Sequence, residues 1–308
     1  SGQAIESLAF TPDGRHLVVG DDRGGVRLWD VATRTLARQV AYADLGALTV
    51  TATGASTLAF LENGQGFALP ADGVPTLTPA EPPALFRARQ AFAPAADRGV
   101  RASEGALALF RLHDLHPEGV VGNVEGEVDG LALSPDGRWL AVWLRERERV
   151  QVFDVSARKA GPRVQVTDVW ALAWQGGDLL IGTEGGLRRW TPGGSLGPMA
   201  SAVAGDRLTV HAEGVIVTDG QAICFLDPAL RLRGAALAEA YGAGVVALSP
   251  DGRTLATAGA SGTITLWDVP SRQATARITA YADGLWQVMT ADGTTEGRGL
   301  PRPGYRKP

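Results

Sequence analysis

The sequence predicts an all-β fold made of seven similar units, each a small antiparallel sheet of four strands. Three observations support this prediction: a turn motif that occurs three times, a bulky apolar position that recurs at a nearly constant spacing, and a composition rich in turn formers. The chain has 40 glycines and 18 prolines among 308 residues, which exceeds the usual share but stays below that of low-complexity chains. Many short strands joined by tight turns are therefore expected.

The repeated turn motif is Ser/Thr-Pro-Asp-Gly-Arg, and each copy follows a short apolar stretch. The copies begin at Thr11, Ser134 and Ser249. Proline presets φ at the second turn position, the aspartate side chain caps the turn, and glycine takes a positive φ that other residues resist. A second apolar strand follows each turn, and a third strand ends in a pair such as Trp29-Asp30, so the three strands form one antiparallel sheet.

Two anchor positions extend the repeat along the chain. The first lies in the first strand of each unit, at Phe10, Val50, Phe92, Leu133, Trp174, Val210 and Leu248. The second lies in the third strand, at Trp29, Leu69, Phe110, Phe153, Trp190, Phe225 and Trp267. Both series have a mean spacing of about 40 residues, the period of four-stranded propeller blades. The sequence thus predicts a seven-bladed β-propeller, with outer fourth strands such as 35–40 and 273–278.

From about Ile5 to Thr279 the repeats resemble those of the WD-repeat family of β-propellers. The resemblance is carried by Trp29-Asp30, Trp267-Asp268, the variant Phe153-Asp154 and the Ser/Thr-Pro-Asp-Gly turns. It implies a rigid scaffold that binds proteins without catalysis, in bacteria often within larger regulatory chains. The family's Gly-His pairs are missing here, so its buried Asp-His-Ser-Trp hydrogen-bond network is not expected in the usual form.

The predicted propeller spans residues 5–279, and residues 280–308 form a C-terminal tail. Residues 280–283 repeat the sequence of residues 41–44, and Leu285–Met289 resembles another first strand. We expect the tail to be an extra strand or linker, with a partial eighth blade as the alternative. Closure of the ring is expected to depend on face packing between the first and last blades, which predicts a weaker seam there.

Composition excludes several classes of function. The 29 basic and 33 acidic residues give a net charge of −4, so nucleic acid is not an expected partner. The single cysteine, Cys224, cannot form an internal disulfide, and no apolar run reaches the length of a membrane span. We expect a soluble, cytoplasmic, monomeric protein with no membrane association. The near absence of lysine, found only at Lys159 and Lys307, indicates a high-GC genome, and the family resemblance implies a bacterial type.

No catalytic, metal or cofactor site is predicted. The recurring tryptophans and phenylalanines are expected between blades, and Cys224 is expected to be a buried side chain beside Phe225. His113 and His116 lack the companions of a metal site, and the glycine pairs precede strands rather than helices.

The candidate binding residues lie where the chain enters each blade from the upper face. Three acids and one aromatic stand four residues before the first-strand anchors, at Glu6, Asp129, Trp170 and Asp206. Carboxylates around one mouth suit a cationic partner or an ion, and ordinary solvated loop residues are the alternative. Trp170 can supply anchor energy of about 2 kcal/mol in an interface.

The neighbouring links contribute further candidate residues. These are Tyr42, Tyr241, Tyr281 and Trp286, with Arg147 as a charged rim residue. The sequence therefore predicts a protein or peptide partner on the upper loop face. The alternative is a propeller enzyme, or a propeller that binds a metal or small molecule, with its site in the central channel.

Overall fold

A computed structural model describes residues 4–23, 25–41, 49–53, 56–60, 66–70, 76–78, 89–219, 221–238, 244–281 and 285–298. These residues form thirty strands in seven sheets, together with two short 3-10 helices. Among them, no helix has the length and apolar character that a bilayer span requires.

The first three blades have the following strands. Blade one contains β1 (Ile5–Phe10), β2 (His16–Asp21), β3 (Gly25–Asp30) and β4 (Thr35–Ala41). Blade two contains β5 (Thr49–Thr53), β6 (Ser56–Phe60), β7 (Gly66–Pro70) and β8 (Thr76–Thr78). Blade three contains β9 (Arg89–Ala93), helix η1 (Pro94–Ala96), β10 (Arg98–Ser103), β11 (Ala106–Arg111) and β12 (Pro117–Asn123).

The remaining four blades follow the same plan. Blade four contains β13 (Gly130–Leu133), β14 (Trp139–Leu144), helix η2 (Arg145–Arg147), β15 (Arg149–Asp154) and β16 (Lys159–Gln165). Blade five contains β17 (Val169–Gln175), β18 (Asp178–Thr183), β19 (Gly186–Trp190) and β20 (Leu196–Ser201). Blade six contains β21 (Arg207–His211), β22 (Gly214–Thr218), β23 (Ala222–Leu226) and β24 (Leu237–Ala238). Blade seven contains β25 (Val245–Leu248), β26 (Thr254–Ala258), β27 (Thr263–Asp268) and β28 (Gln273–Ala280), followed by β29 (Trp286–Thr290) and β30 (Thr295–Arg298).

Consecutive strands pair antiparallel within each sheet, so every blade is a meander. The first strands of neighbouring blades contact one another, including β25 with β1, except that β5 contacts helix η1 of blade three, and these strands form the inner wall of the ring. The predicted all-β fold with seven antiparallel blades is confirmed. The predicted fourth strands are present as β4 and β28, each slightly longer than expected.

The repeated motif folds into the predicted turn. The Ser249 hydroxyl donates to Asp251 Oδ1 at 2.6 Å, and the same oxygen accepts the backbone N–H of Arg253 at 3.0 Å. Gly252 takes the left-handed conformation at φ 71°, which a side chain would disfavour. The turns at Thr11 and Ser134 repeat this geometry, so the motif closes the hairpin between the first two strands of its blade.

The aromatic anchors are buried between blades. Trp29 and Trp190 are only 1% and 2% exposed. In blade seven, Trp267 Nε1 donates to Thr257 Oγ1 at 3.0 Å, which retains one link of the family network. Blade one has Val19 at the place of Thr257, and the described residues offer Trp29 Nε1 no acceptor.

The tail forms a hairpin that extends blade seven. β29 pairs antiparallel with β28, and β30 pairs with β29, so the sheet has six strands and the hairpin does not begin a blade of its own. Thr290 donates to Asp292 in the same arrangement as the repeated turns. The Trp286 ring packs edge to face on Trp29, with 5.5 Å between centroids, and Val288 joins the same core. The seam therefore has more than the face packing expected from the sequence, because the hairpin packs across it.

Candidate functional site

A cavity of about 990 Å³ opens where the first strands of blades three to six begin. Because those strands form the inner wall of the ring, we name this space the mouth cavity. Its polar and aromatic lining residues are Arg89, Gln90, Asp129, Trp143, Arg145, Trp170, Asp206 and Arg207. Three of the predicted residues, Asp129, Trp170 and Asp206, thus come together.

Trp170 is directed outward by an irregularity in β17. The register with β18 shifts between Val169 and Ala171, which leaves Trp170 as the extra residue of a bulge. A bulge changes the direction of the side chain of its extra residue, which no longer follows the alternation of side chains between the two faces of the strand. Trp170 is accordingly 47% exposed, while its neighbour Val169 is buried. The strand therefore presents a large aromatic surface to the mouth cavity.

Glu6 occupies the corresponding bulge of β1, between Ile5 and Ser7, and it is exposed. Glu6 is not among the residues that line the mouth cavity. The three acids predicted around one mouth are therefore divided, with only Asp129 and Asp206 in this space.

Asp129 is paired with the loop that follows β14. Its backbone N–H donates to the Trp143 carbonyl at 3.0 Å, which fixes the residue just before β13. The backbone N–H of Arg145 donates to Asp129 Oδ2 at 3.0 Å, and Arg145 Nε lies 3.3 Å from Oδ1. Both carboxylate oxygens are satisfied, while the Arg145 side chain remains 74% exposed.

Asp206 has a looser partner in the next residue along the chain. Arg207 Nη1 lies 3.7 Å from Asp206 Oδ2 and donates to the Asp206 carbonyl at 3.0 Å. Within the described part of the chain, Asp206 Oδ1 is buried without a hydrogen-bond partner. The carboxylate is therefore only half satisfied.

The charge of the mouth cavity differs from the expectation of an acidic mouth. Its lining has three arginines and two aspartates, and each aspartate has an arginine beside it. Arg89 is exposed and has no ion-pair partner among the described residues. The arginines offset the charge of the two aspartates, so this lining does not favour the cation or cationic partner that the sequence suggested.

The other predicted binding residues lie elsewhere. Arg147 stands in helix η2 close to the mouth, 3.6 Å from Glu125 in an exposed ion pair. Tyr281 lies in the link before β29, and its backbone N–H donates to the Leu285 carbonyl. Trp286 is half-buried against Trp29, so the structure gives it a packing role at the seam. Tyr42 and Tyr241 lie outside the described residues.

Sequence reasoning missed the arginines of the mouth cavity and the polar residues Gln90 and Trp143. Arg207 directly follows an entrance acid, and Arg145 directly follows the second strand of blade four. A search for basic residues directly after the entrance position and directly after the second strand of each blade could have found Arg207 and Arg145. Arg89 and Gln90 open β9 and had no motif to mark them.

Groups with reactive chemistry lie elsewhere in the described chain. His113 contacts Asp97 and lies 3.5 Å from Asp114, which ties two exposed loops of blade three together. Burial, and secondarily the charge of Asp219, raises the pKa of the Cys224 thiol, so this cysteine is less readily ionised than a free one. The described residues hold no group of three or more histidine, cysteine, aspartate or glutamate side chains arranged for a metal ion.

Comparison with known proteins agrees with this architecture. The family model described as WD domain, G-beta repeat, matches residues 1–30 and 239–268, which fall in the region of blades one and seven. No curated protein sequence matches the chain. Among solved structures, the Myceliophteria thermophila Cps50 (Swd1) beta-propeller domain has a TM-score of 0.68 at 16% identity, covering 87% of this chain and 97% of that one.

A second solved structure, a chain of the mitotic checkpoint complex, has a TM-score of 0.67 at 20% identity and covers 86% of each chain. At these identities the similarity concerns the fold, whereas the two matched repeats concern the sequence itself. The two matched repeats and the seven-sheet ring together support a WD-repeat β-propeller.

Proposed function

We propose that this propeller is a protein-binding module that holds a segment of a partner protein in the mouth cavity and performs no catalysis. The observation that carries the proposal is the position of Trp170, half exposed on a strand bulge inside a cavity of about 990 Å³. Such a volume accommodates several side chains, and a central aromatic is the usual anchor of a protein interface.

The other exposed apolar side chains support this choice of surface. Val120, Met199 and Met289 lie on strands outside the inner wall, and Leu232 lies in the link before β24. Scattered apolar residues of this kind are normal on a protein surface. Among the large exposed apolar residues in the described chain, Trp170 alone lines the cavity.

The composition of the cavity favours binding over catalysis. Its described lining has no histidine, cysteine, serine or threonine. Asp129 has both oxygens in contact with Arg145, and Asp206 has one oxygen near Arg207 and the other buried. General acid or base work needs a group free to exchange a proton with the substrate. The charged groups are better suited to orient a partner and to determine its sequence.

The solved relatives point the same way. One is the beta-propeller domain of Cps50 (Swd1), and the other is a chain of the mitotic checkpoint complex. We propose that this chain likewise works as a scaffold or sensor domain in a regulatory assembly. We further propose that the propeller itself is a monomer in the cytoplasm and that the residues around the mouth, including Arg147, form its binding rim.

Affinity capture with two matched variants tests the function. Trp170→Ala removes the anchor, whereas Met199→Ala removes a side chain of equal exposed fraction, 47%, from the outer strand of the same blade. Loss of an anchor worth about 2 kcal/mol weakens binding roughly 30-fold. We expect partners quantified by mass spectrometry to be retained by the wild type and Met199→Ala and lost by Trp170→Ala. If Trp170→Ala retains every partner at wild-type level while circular dichroism shows all three folded, the proposed site is wrong.

A further inference from the structure

We infer that the segment bound in the mouth cavity is an acidic peptide, with carboxylates directed at Arg89, Arg145 and Arg207 and an apolar side chain packed on Trp170. This inference rests on the proposed function and names the chemistry of its partner. The charge of this partner is opposite to that of the cationic partner suggested by the entrance acids.

The first argument is the supply of unused cationic donors. A guanidinium has five N–H donors. In Arg145 only Nε contacts Asp129, so its terminal nitrogens remain available, and the side chain is 74% exposed. Arg207 is half exposed, and Arg89 has no ion pair within the described chain. A partner carboxylate can therefore bind an arginine without displacing either aspartate.

The second argument is the balance of charge in the cavity. Its lining carries one more arginine than aspartate, although the whole chain has a net charge of −4. A basic segment entering the mouth would meet three arginines, while Asp129 is already engaged by Arg145 and the unpartnered oxygen of Asp206 is buried. An acidic segment gains charge-assisted hydrogen bonds instead, and arginine is well suited to hold carboxylates in two-pronged contacts.

The third argument distinguishes a peptide from a simple anion. Three of the buried polar atoms that have no partner in the described chain belong to cavity-lining residues: Gln90 Oε1, Asp206 Oδ1 and Trp143 Nε1. The first two accept hydrogen bonds and the third donates one. A peptide backbone offers both N–H and C=O groups. If these three side chains turn towards the cavity, a bound peptide can hydrogen-bond to the two acceptor oxygens and to the indole N–H donor. A fully deprotonated anion such as sulfate offers acceptors only.

Fluorescence anisotropy on the full chain tests the inference with defined probes. The probes are labelled peptides of the sequence Glu-Leu-Glu-Glu-Leu-Glu, the same peptide with every glutamate replaced by lysine or by glutamine, and a labelled oligothymidylate. We expect the glutamate peptide to bind at least about tenfold more tightly than the lysine peptide, and this preference to fall as salt rises. Tighter binding of the lysine peptide or the oligothymidylate, or no binding of the glutamate peptide, overturns the inference.

Two arginine variants locate the interaction. Arg89→Gln should weaken binding of the glutamate peptide about tenfold, the usual effect of losing a hydrogen bond between charged groups. Arg15→Gln is the control, because Arg15 is also exposed but lies in the turn between β1 and β2, away from the cavity lining. Equal binding by wild type and Arg89→Gln counts against the assigned site.

The two proposals fail separately. If Trp170→Ala abolishes partner capture but the peptides show no preference for acid, the mouth cavity binds proteins and the acidic partner is wrong. If the glutamate peptide binds through Arg89 but partner capture does not depend on Trp170, the binding surface for proteins lies elsewhere.

Discussion

Blades one and seven each bury a tryptophan at the equivalent position, but only one of the two indole N–H groups has an acceptor among the described residues. This difference predicts opposite effects of two substitutions. Trp267 Nε1 has the Thr257 hydroxyl as its acceptor, while Trp29 Nε1 has none among the described residues because Val19 stands at the equivalent place. We expect Thr257→Val to lower the stability of the protein and Val19→Thr to raise it.

The magnitudes follow from the hydrogen bonds concerned. A buried donor left without a partner costs about 1–3 kcal/mol, so Thr257→Val should lower the free energy of unfolding by about 2 kcal/mol. Val19→Thr adds the missing acceptor but buries a hydroxyl, so its net gain should be near 1 kcal/mol. For a chain of this size each kcal/mol shifts Tm by about 2 °C.

The assay is thermal unfolding followed by circular dichroism, with Val18→Thr as the control. Val18 is as fully buried as Val19 and neighbours it on β2, with its side chain on the opposite face. We expect Val18→Thr to lower Tm because its hydroxyl gains no indole partner. The reasoning fails if Val19→Thr destabilises the protein as much as Val18→Thr, or if Thr257→Val leaves Tm unchanged.

Three further predictions concern the seam, a glycine and the turns. Trp286→Ala should lower the free energy of unfolding by about 2 kcal/mol, because Trp286 is half-buried in an edge-to-face pair with Trp29. Urea titration should show this loss, whereas Met289→Ala on the same strand should have little effect because Met289 is exposed. Gly25→Ala would place a Cβ 2.3 Å from Asp21 Oδ2 and disturb the buried Asp21–Arg27 ion pair, so chemical denaturation should reveal a loss of about 3 kcal/mol. The hydrogen bond from the Ser249 hydroxyl, and to a lesser extent that from the Arg253 N–H, lowers the pKa of Asp251 from its ordinary 3.8. The ionised carboxylate therefore stabilises the fold above about pH 4, and this contribution is lost as pH falls through the lowered pKa. Ser249→Ala should therefore flatten the decline of Tm between pH 4 and pH 2, and a slope equal to that of the wild type would contradict the argument.

The blade count could be predicted from the sequence because the repeat reflects a local constraint. Each first-strand and third-strand anchor lies in the expected strand, from Phe10 in β1 to Trp267 in β27. Every blade must bury a bulky side chain at the same place, and the chain between two such places has a nearly fixed length. The turn motif adds a second local signal, since its proline, aspartate and glycine determine the hairpin by themselves.

The site could be predicted only in part. The entrance position identified Asp129, Trp170 and Asp206 because the repeat places them at one end of the inner strands. The sequence could not show that Arg145 reaches Asp129, because that contact depends on the path of the η2 loop. For the same reason the sequence could not show that three arginines line the cavity beside the entrance acids. The tail hairpin was visible as a pattern, but its pairing with β28 and its contact with Trp29 join residues far apart in the chain.

The ring contact between Trp286 and Trp29 also has a consequence for biosynthesis. Trp29 emerges from the ribosome first, and Trp286 follows only after more than 250 further residues. Until then, the apolar side of blade one that receives Trp286 stays uncovered, and chaperones or self-association compete for it. Chains released before Trp286 is added should therefore aggregate more readily than chains that contain it, and the ring acquires its final resistance to opening only after the tail hairpin is made.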